Sequence, residues 1–175
     1  MGVIGGGSAS SLLTSCSSDN KKESKVRLKE PGSYYVPELP DIAPDGKELR
    51  AGVIGCGGRG SGAAINFLNA AKGVTIVALG DVFEDRVNGL ADKLKKEKGI
   101  DIPVEKRFVG LDAYKHVIDS DLDIIIECTP PYFRPQHFEY AVQKNKHCFL
   151  EKPMFVDAVG YRKVVATAKQ AQAKK

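Results

Sequence analysis

Leu49-Arg-Ala-Gly-Val-Ile-Gly-Cys-Gly-Gly-Arg-Gly60 joins a short apolar strand to the pattern G-x-G-x-x-G. The strand is read over Leu49–Ile54, and the glycines open a helix read over Ala63–Ala70. In that setting each glycine has a task. Gly55 permits the tight turn, and Gly57 lets the backbone approach a diphosphate with no Cβ in the way. Gly60 lets the helix pack close to the strand. Free N–H groups at the helix start favour an anion, so Gly55, Cys56, Gly57, Gly58, Arg59 and Gly60 are expected to cradle a dinucleotide's phosphates. Arg59 is expected to add a charge-assisted contact. The small Cys56 fits the loop, and nothing marks its thiol as reactive.

The next strand, Val74-Thr-Ile-Val-Ala-Leu79, is β-branched and leads into Gly80-Asp81. Asp81 lies 26 residues after Gly55, near the offset of about 20 expected for a ribose-binding acid. Its carboxylate would accept the adenosine ribose hydroxyls and repel a 2′-phosphate, favouring NAD over NADP. Two alternatives stand beside this: Asp81 as a helix cap, and Arg86 as a phosphate partner where Asp81 turns away.

Apolar residues Phe83, Val87, Leu90, Ala91 and Leu94 recur at helical spacing, and Lys98-Gly99 closes that helix. Val104 and Phe108-Val109 mark a short strand, and Leu111, Tyr114, Val117 and Ile118 a short helix. Asp123-Ile-Ile-Ile-Glu-Cys128 reads as a central strand, stopped by Pro130-Pro131. Phe138, Ala141 and Val142 mark a helix ending near Asn145, and His147–Leu150 a further strand. Asp157 caps a last helix carrying Ala158, Tyr161, Val164, Val165 and Ala168 on one face. Strands alternating with helices predict an α/β fold, a doubly wound, mostly parallel Rossmann-type sheet.

Composition limits the alternatives. The 175 residues carry 26 Lys+Arg against 22 Asp+Glu, a formal charge of +4, with 42% apolar residues. That apolar content excludes general disorder, the weak charge argues against nucleic acid, and no apolar run is long enough for a membrane span. The widely spaced Cys16, Cys56, Cys128 and Cys148 suggest neither a metal site nor a disulfide scaffold.

Ahead of the domain, residues 1–20 are rich in Gly and Ser and read as a signal remnant. Leu13-Thr14-Ser15-Cys16 resembles a bacterial lipobox, with Cys16 the residue to be lipid-anchored, although no Lys or Arg precedes it. The protein is therefore expected to be exported, periplasmic or membrane-anchored, and cytoplasmic where that signal is inactive. Residues 21–48, with Pro31, Pro37, Pro40 and Pro44, read as a linker. Residues 49–155 are read as the dinucleotide-binding domain and 156–175 as a helix leading toward a second domain.

Glu151-Lys152-Pro153, together with the glycine loop, Asp81, Asp123–Pro131 and His137, resembles the glucose–fructose oxidoreductase / inositol dehydrogenase family (Gfo/Idh/MocA) over residues 49–170. The resemblance implies NAD-linked oxidation or reduction of a sugar or polyol carbon. It places Thr129 and Pro130 against the cofactor and Lys152 near the nicotinamide and the reacting hydroxyl, with Pro153 fixing the following turn. A lysine there can hydrogen-bond the substrate oxygen and relay a proton. Glu151 would orient Lys152 or simply pair with it. His137 is read either as a contact to the nicotinamide end or as an ordinary helix-start histidine.

The resemblance also implies a C-terminal α+β domain, which supplies an Asp-x-x-x-His motif and association between subunits. The chain is thus expected to be a fragment of a longer oxidoreductase, incomplete without that domain. Asp112-Ala-Tyr-Lys-His116 lies too early to be that motif. Asp112 is read as a helix cap and His116 as a surface residue. Two other functions remain open at this point: a membrane-tethered dinucleotide-binding module without catalysis, and a glycoside-cleaving relative that uses NAD transiently.

Overall fold

The computed structural model describes residues 47–174. The signal remnant, the lipobox at Cys16 and nearly all of the Pro-rich linker lie outside the described residues.

Five strands form one parallel sheet: β1 (Leu49–Ile54), β2 (Val74–Asp81), β3 (Arg107–Val109), β4 (Ile124–Glu127) and β5 (His147–Leu150). Their order across the sheet is β3-β2-β1-β4-β5. The chain winds outward from β1 in one direction, then returns and winds in the other. The reversal leaves a crevice between the carboxyl ends of β1 and β4, the place where open α/β sheets bind ligands.

The central strands β1, β2 and β4 are covered on both faces, whereas the edge strands β3 and β5 leave Val109 and Phe149 exposed. On one face Val53, Ile76, Leu79 and Ile126 pack under α1 (Gly58–Ala70) and α2 (Glu84–Lys98), which contribute Ala64, Val87, Leu90 and Leu94. On the other, Ile54, Ala78 and Ile125 meet Tyr114, Val117 and Ile118 of α3 (Ala113–Ile118) and Ala141 of α4 (Arg134–Gln143). The last helix, α5 (Ala158–Ala173), lies against α4, where Lys163 pairs with Glu139 at 2.6 Å. Asp157 caps α5, its side chain accepting from the Gly160 N–H at 2.6 Å.

Several local expectations change. Helix α1 starts at Gly58, not Ala63, because the glycine turn delivers the chain directly into helical geometry. Phe83 is the N-cap residue of α2 and is half exposed, so it does not join that helix's apolar face. Val104 begins a single 3₁₀ turn ahead of β3. On α5 the buried residue is Thr167, whereas Tyr161 is half exposed; contact with α4, rather than the apolar stripe, sets which face is covered. Asp112 sits at the N-cap position of α3 without capping it. Its carboxylate pairs with Lys115 at 2.7 Å, which holds it below the usual carboxylate range. Among the described residues no helix is long and apolar enough to cross a membrane.

Candidate functional site

The glycine turn closes over the end of the sheet with almost no free space. Gly55 has φ +88°, and a Cβ there would stand 2.7 Å from the Cys128 carbonyl carbon and the Thr129 nitrogen. A Cβ on Gly60 would stand 1.8 Å from the Gly55 carbonyl oxygen. Gly55 is therefore demanded by its positive φ as well as by backbone contact, and Gly60 by backbone contact alone. Gly57 and Gly58 face open space instead: a Cβ on Gly58 would meet nothing within 4 Å, and one on Gly57 only the Arg86 Nη1, at 3.6 Å. The loop thus has a packed side against the sheet and an open side toward the crevice.

That crevice is a cavity of about 520 Å³, within the usual range of small-molecule sites. Its walls include Gly55, Gly57, Gly58, Arg59, Gly60, Asp81, Thr129, Pro130 and His137. Nine of the residues singled out in the sequence therefore meet around one space. Cys56 is buried behind them, its thiol donating to the Gly80 carbonyl oxygen and pushed up to about 12 by burial. The thiols of Cys128 and Cys148 are raised to about 11 and about 12 by the same cause. None of the three is poised as a nucleophile at neutral pH.

Asp81 does two jobs in the fold before any ligand is considered. Its Oδ2 accepts from the Cys56 N–H at 2.7 Å, and its Oδ1 accepts from the Phe83 N–H at 3.0 Å. The carboxylate thereby stitches the glycine loop to the start of α2. A carboxylate offers about four lone-pair positions, so acceptor capacity remains for a further donor pair. Beside it the exposed Arg86 guanidinium lies over the Phe83 ring, 4.8 Å from its centroid.

Arg59 and Glu151 depart from expectation. Arg59 bonds the Glu151 carboxylate, so the loop arginine spans to the end of β5. The Glu151 carboxylate thus pairs with the loop guanidinium rather than with the Lys152 ammonium, and also accepts from the Lys152 backbone N–H. The pairing holds the Glu151 carboxyl below the usual carboxylate range. A carboxyl depressed in the folded state adds stability above its unfolded pKa, and that stability is lost as pH falls through the folded value. The unfolding free energy of Arg59→Ala is therefore expected to lie below that of the parent at pH 7. The gap should close at acidic pH, below the lowered Glu151 value. Urea unfolding at pH 7 and pH 3 checks this, and a gap independent of pH would show that the ion pair does not carry it.

The loop after β5 is fixed by a residue that pattern reading passed over. Arg134 is buried at the start of α4. It donates to the Thr129 carbonyl oxygen at 2.7 Å, to the Pro153 carbonyl oxygen at 2.7 Å and to the Glu151 carbonyl oxygen. One guanidinium, itself part of the cavity wall, thus holds the carbonyls on both sides of Lys152. Lys152 is exposed, and neither it nor Pro153 forms part of the cavity wall. The signal for Arg134 was an arginine within an apolar helix start, where burial requires several acceptors at once.

Glu127 was also missed as a site residue. It ends the run Ile124-Ile-Ile-Glu127 and is fully buried. Its Oε1 accepts from the Thr129 N–H at 2.9 Å and from the Thr129 hydroxyl, and its Oε2 lies 2.9 Å from His137 Nδ1. A glutamate inside an isoleucine strand is itself a signal, because a buried carboxylate survives only with partners.

Comparison with known proteins agrees with this geometry. Residues 49–174 match the family described as "Oxidoreductase family, NAD-binding Rossmann fold" (Gfo/Idh/MocA). Among curated proteins, a glycosyl hydrolase family 109 protein of Porphyromonas gingivalis is 29% identical over 81% of this chain and 29% of its own length. An alpha-N-acetylgalactosaminidase of Shewanella oneidensis is 27% identical over 92% of this chain and 34% of its own. Among solved structures, apo scyllo-inositol dehydrogenase from Lactobacillus casei superposes with a TM-score of 0.58 and 25% identity, over 72% of this chain and 34% of that one. The chain thus spans about a third of the length of these relatives.

Proposed function

Because the chain belongs to the Gfo/Idh/MocA oxidoreductase family with its NAD-binding Rossmann fold, we propose that it holds NAD in the crevice between β1 and β4 for the oxidation or reduction of a sugar or polyol carbon. The observation that carries this is the glycine loop: packed against the sheet through Gly55 and Gly60, and open to the cavity through Gly57 and Gly58. Gly57 and Gly58 leave room for a diphosphate at the start of α1, where unpaired N–H groups and the helix dipole favour negative charge. Asp81 offers its remaining lone pairs to the adenosine ribose, and Thr129 and Pro130 line the nicotinamide side. When bound, the dinucleotide supplies a hydride donor or acceptor.

Lys152 is the residue proposed to act on the substrate. Its ammonium would hydrogen-bond the reacting oxygen and move the proton there. The Arg134 clamp on the Glu151 and Pro153 carbonyls sets the backbone on either side of it, which favours a fixed rather than a wandering ammonium. With Glu151 committed to Arg59, Lys152 has no competing carboxylate next door in the chain.

The curated relatives favour a second reading for the parent enzyme: transient oxidation and re-reduction of a glycoside, leaving no net NADH. The lipobox-like Leu13-Thr14-Ser15-Cys16 adds the proposal that the protein is exported and membrane-anchored.

The test of the shared core is a titration of the full chain with NADH and with NADPH, followed by nicotinamide fluorescence. Saturable NADH binding with weaker NADPH binding is expected. A cooperatively folded chain that binds neither would sink the reading.

A further inference from the structure

The His137 ring is held on every side but one. Glu127 Oε2 takes Nδ1 at 2.9 Å. Tyr114 of α3 stacks on the ring, with centroids 4.0 Å apart and planes 20° from parallel. Phe133 lies on α4's entry with its ring also 20° from parallel, at 6.1 Å. Tyr114 is in turn fixed by Gln136, whose Nε2 donates to the phenol oxygen at 2.9 Å. The histidine is only 6% exposed. The close stack on Tyr114 and the hydrogen bond to Glu127 together fix the ring's orientation.

The chemistry of the partner sets the proton. As a carboxylate Glu127 only accepts, and its other oxygen is occupied by Thr129. Nδ1 is therefore the donor, and the neutral ring has a bare Nε2. Among the described residues Nε2 meets no hydrogen-bond partner, although His137 lines the cavity. No buried side-chain nitrogen or oxygen among those residues is both sealed from solvent and unpaired. Nε2 consequently opens onto the cavity as an acceptor with nothing to accept.

Its place in the fold says which part of a ligand it meets. Asp81, at the end of β2, lies on one side of the strand reversal. Glu127 and Thr129, at the end of β4, lie on the other. We infer that Glu127 is a positioning residue that presents His137 Nε2 as a hydrogen-bond acceptor to an N–H or O–H donor on the nicotinamide half of the bound dinucleotide. The inference rests on the proposed dinucleotide function. It goes beyond that reading by giving the buried Glu127 a role and His137 a fixed tautomer. Two groups on that half carry the required donor: the nicotinamide ribose hydroxyls and the carboxamide.

The experiment uses the full chain with its three histidines ¹⁵N-labelled. The exposed His116 and His147 are assigned through His116→Gln and His147→Gln, so that the His137 signal is read in otherwise native protein. Without ligand, His137 should show a protonated Nδ1 and an unprotonated Nε2. NADH should shift the Nε2 signal, and ADP, which lacks the whole nicotinamide half, should shift it less or not at all. The analogue with an acetyl group in place of the carboxamide separates the two donors. A shift retained with it points to the ribose, and a shift lost points to the carboxamide.

His137→Asn should weaken NADH about tenfold, as loss of one hydrogen bond does, while leaving ADP near the parent value. Glu127→Gln should mix the tautomers and weaken NADH in the same selective way, which a purely structural role would not do. NADH that binds without moving Nε2 would overturn the inference, as would equal losses for NADH and ADP in His137→Asn. In either case the dinucleotide reading would stand. Failure of the parent chain to bind either nucleotide would remove both.

Discussion

Gly60→Ala is expected to abolish dinucleotide binding and to lower the unfolding free energy by about 3 kcal/mol, the upper end of ordinary overpacking. The added methyl carbon would lie 1.8 Å from the Gly55 carbonyl oxygen and 2.9 Å from its carbon. Both obstructing atoms are backbone, so no side chain can rotate aside. The strain must be relieved by moving α1 away from β1 or by opening the turn at Gly55. That turn already sits at φ +88° with the Cys128–Thr129 peptide pressed against it. Either movement displaces the N–H groups at the start of α1 from the cavity.

Gly62→Ala is the matched control. It lies in the same helix, and its Cβ would meet nothing within 4 Å. There alanine should stabilise by up to about 1 kcal/mol through helix propensity, with NADH binding retained. Urea unfolding and NADH titration of both variants give the comparison. Equal behaviour of the two would mean that the close approach of α1 to the turn is not what makes Gly60 necessary.

These two glycines also show how far the sequence carries and where it stops. The pattern G-x-G-x-x-G after an apolar strand named Gly60 as the position of close packing. The strands at Leu49–Ile54 and His147–Leu150 appear with the boundaries their composition predicts. The buried strand β1 is legible because both its faces must be apolar, and the edge strand β5 by its short run between Asn145 and Pro153. Helix α1 was read too short because glycine is a poor helix former, and a tertiary turn overrides that preference. The covered face of α5 was read in part: Val164, Val165 and Ala168 are half-buried, but Ala158 and Tyr161 are exposed and Thr167 is buried instead, because no local periodicity reports which stripe the partner α4 takes.

The site divides in the same way. Residues that work through backbone shape, such as Gly55 and Gly57, were visible in the spacing. Residues that work through partners distant in the chain were not. Arg59 was assigned to phosphate because it sits in the loop, yet a carboxylate 92 positions later takes it. Glu127 and His137 are ten residues apart, and only the turn through Pro130 and Phe133 brings them together. The sequence did contain one unused clue: a single carboxylate in an otherwise apolar central strand has to be answered by something.

Asp81→Ala is the change expected to alter ligand choice most. Two N–H donors, from Cys56 and Phe83, lose their acceptor. That from Cys56 is buried, so leaving it unpaired costs about 1–3 kcal/mol. The glycine loop then loses its tie to the end of β2, and the ribose loses its acceptor. NADH affinity is expected to fall about 10- to 100-fold, the equivalent of one to two charged hydrogen bonds. NADPH should fall far less. The same substitution removes the charge that repels a 2′-phosphate, and the exposed Arg86 guanidinium stands beside Gly57 and over Phe83, ready to meet that phosphate. The ratio of NADPH to NADH affinity should therefore rise by about tenfold or more. Adding Arg86→Ala should return the ratio toward one by weakening NADPH alone. Asp81→Asn tests whether charge or geometry dominates. Its amide can accept one of the two N–H groups but turns a donor toward the other, so it should relieve the repulsion while recovering only part of the stability. If Asp81→Ala weakens NADH and NADPH by the same factor, Asp81 serves the loop alone and does not choose between the two cofactors.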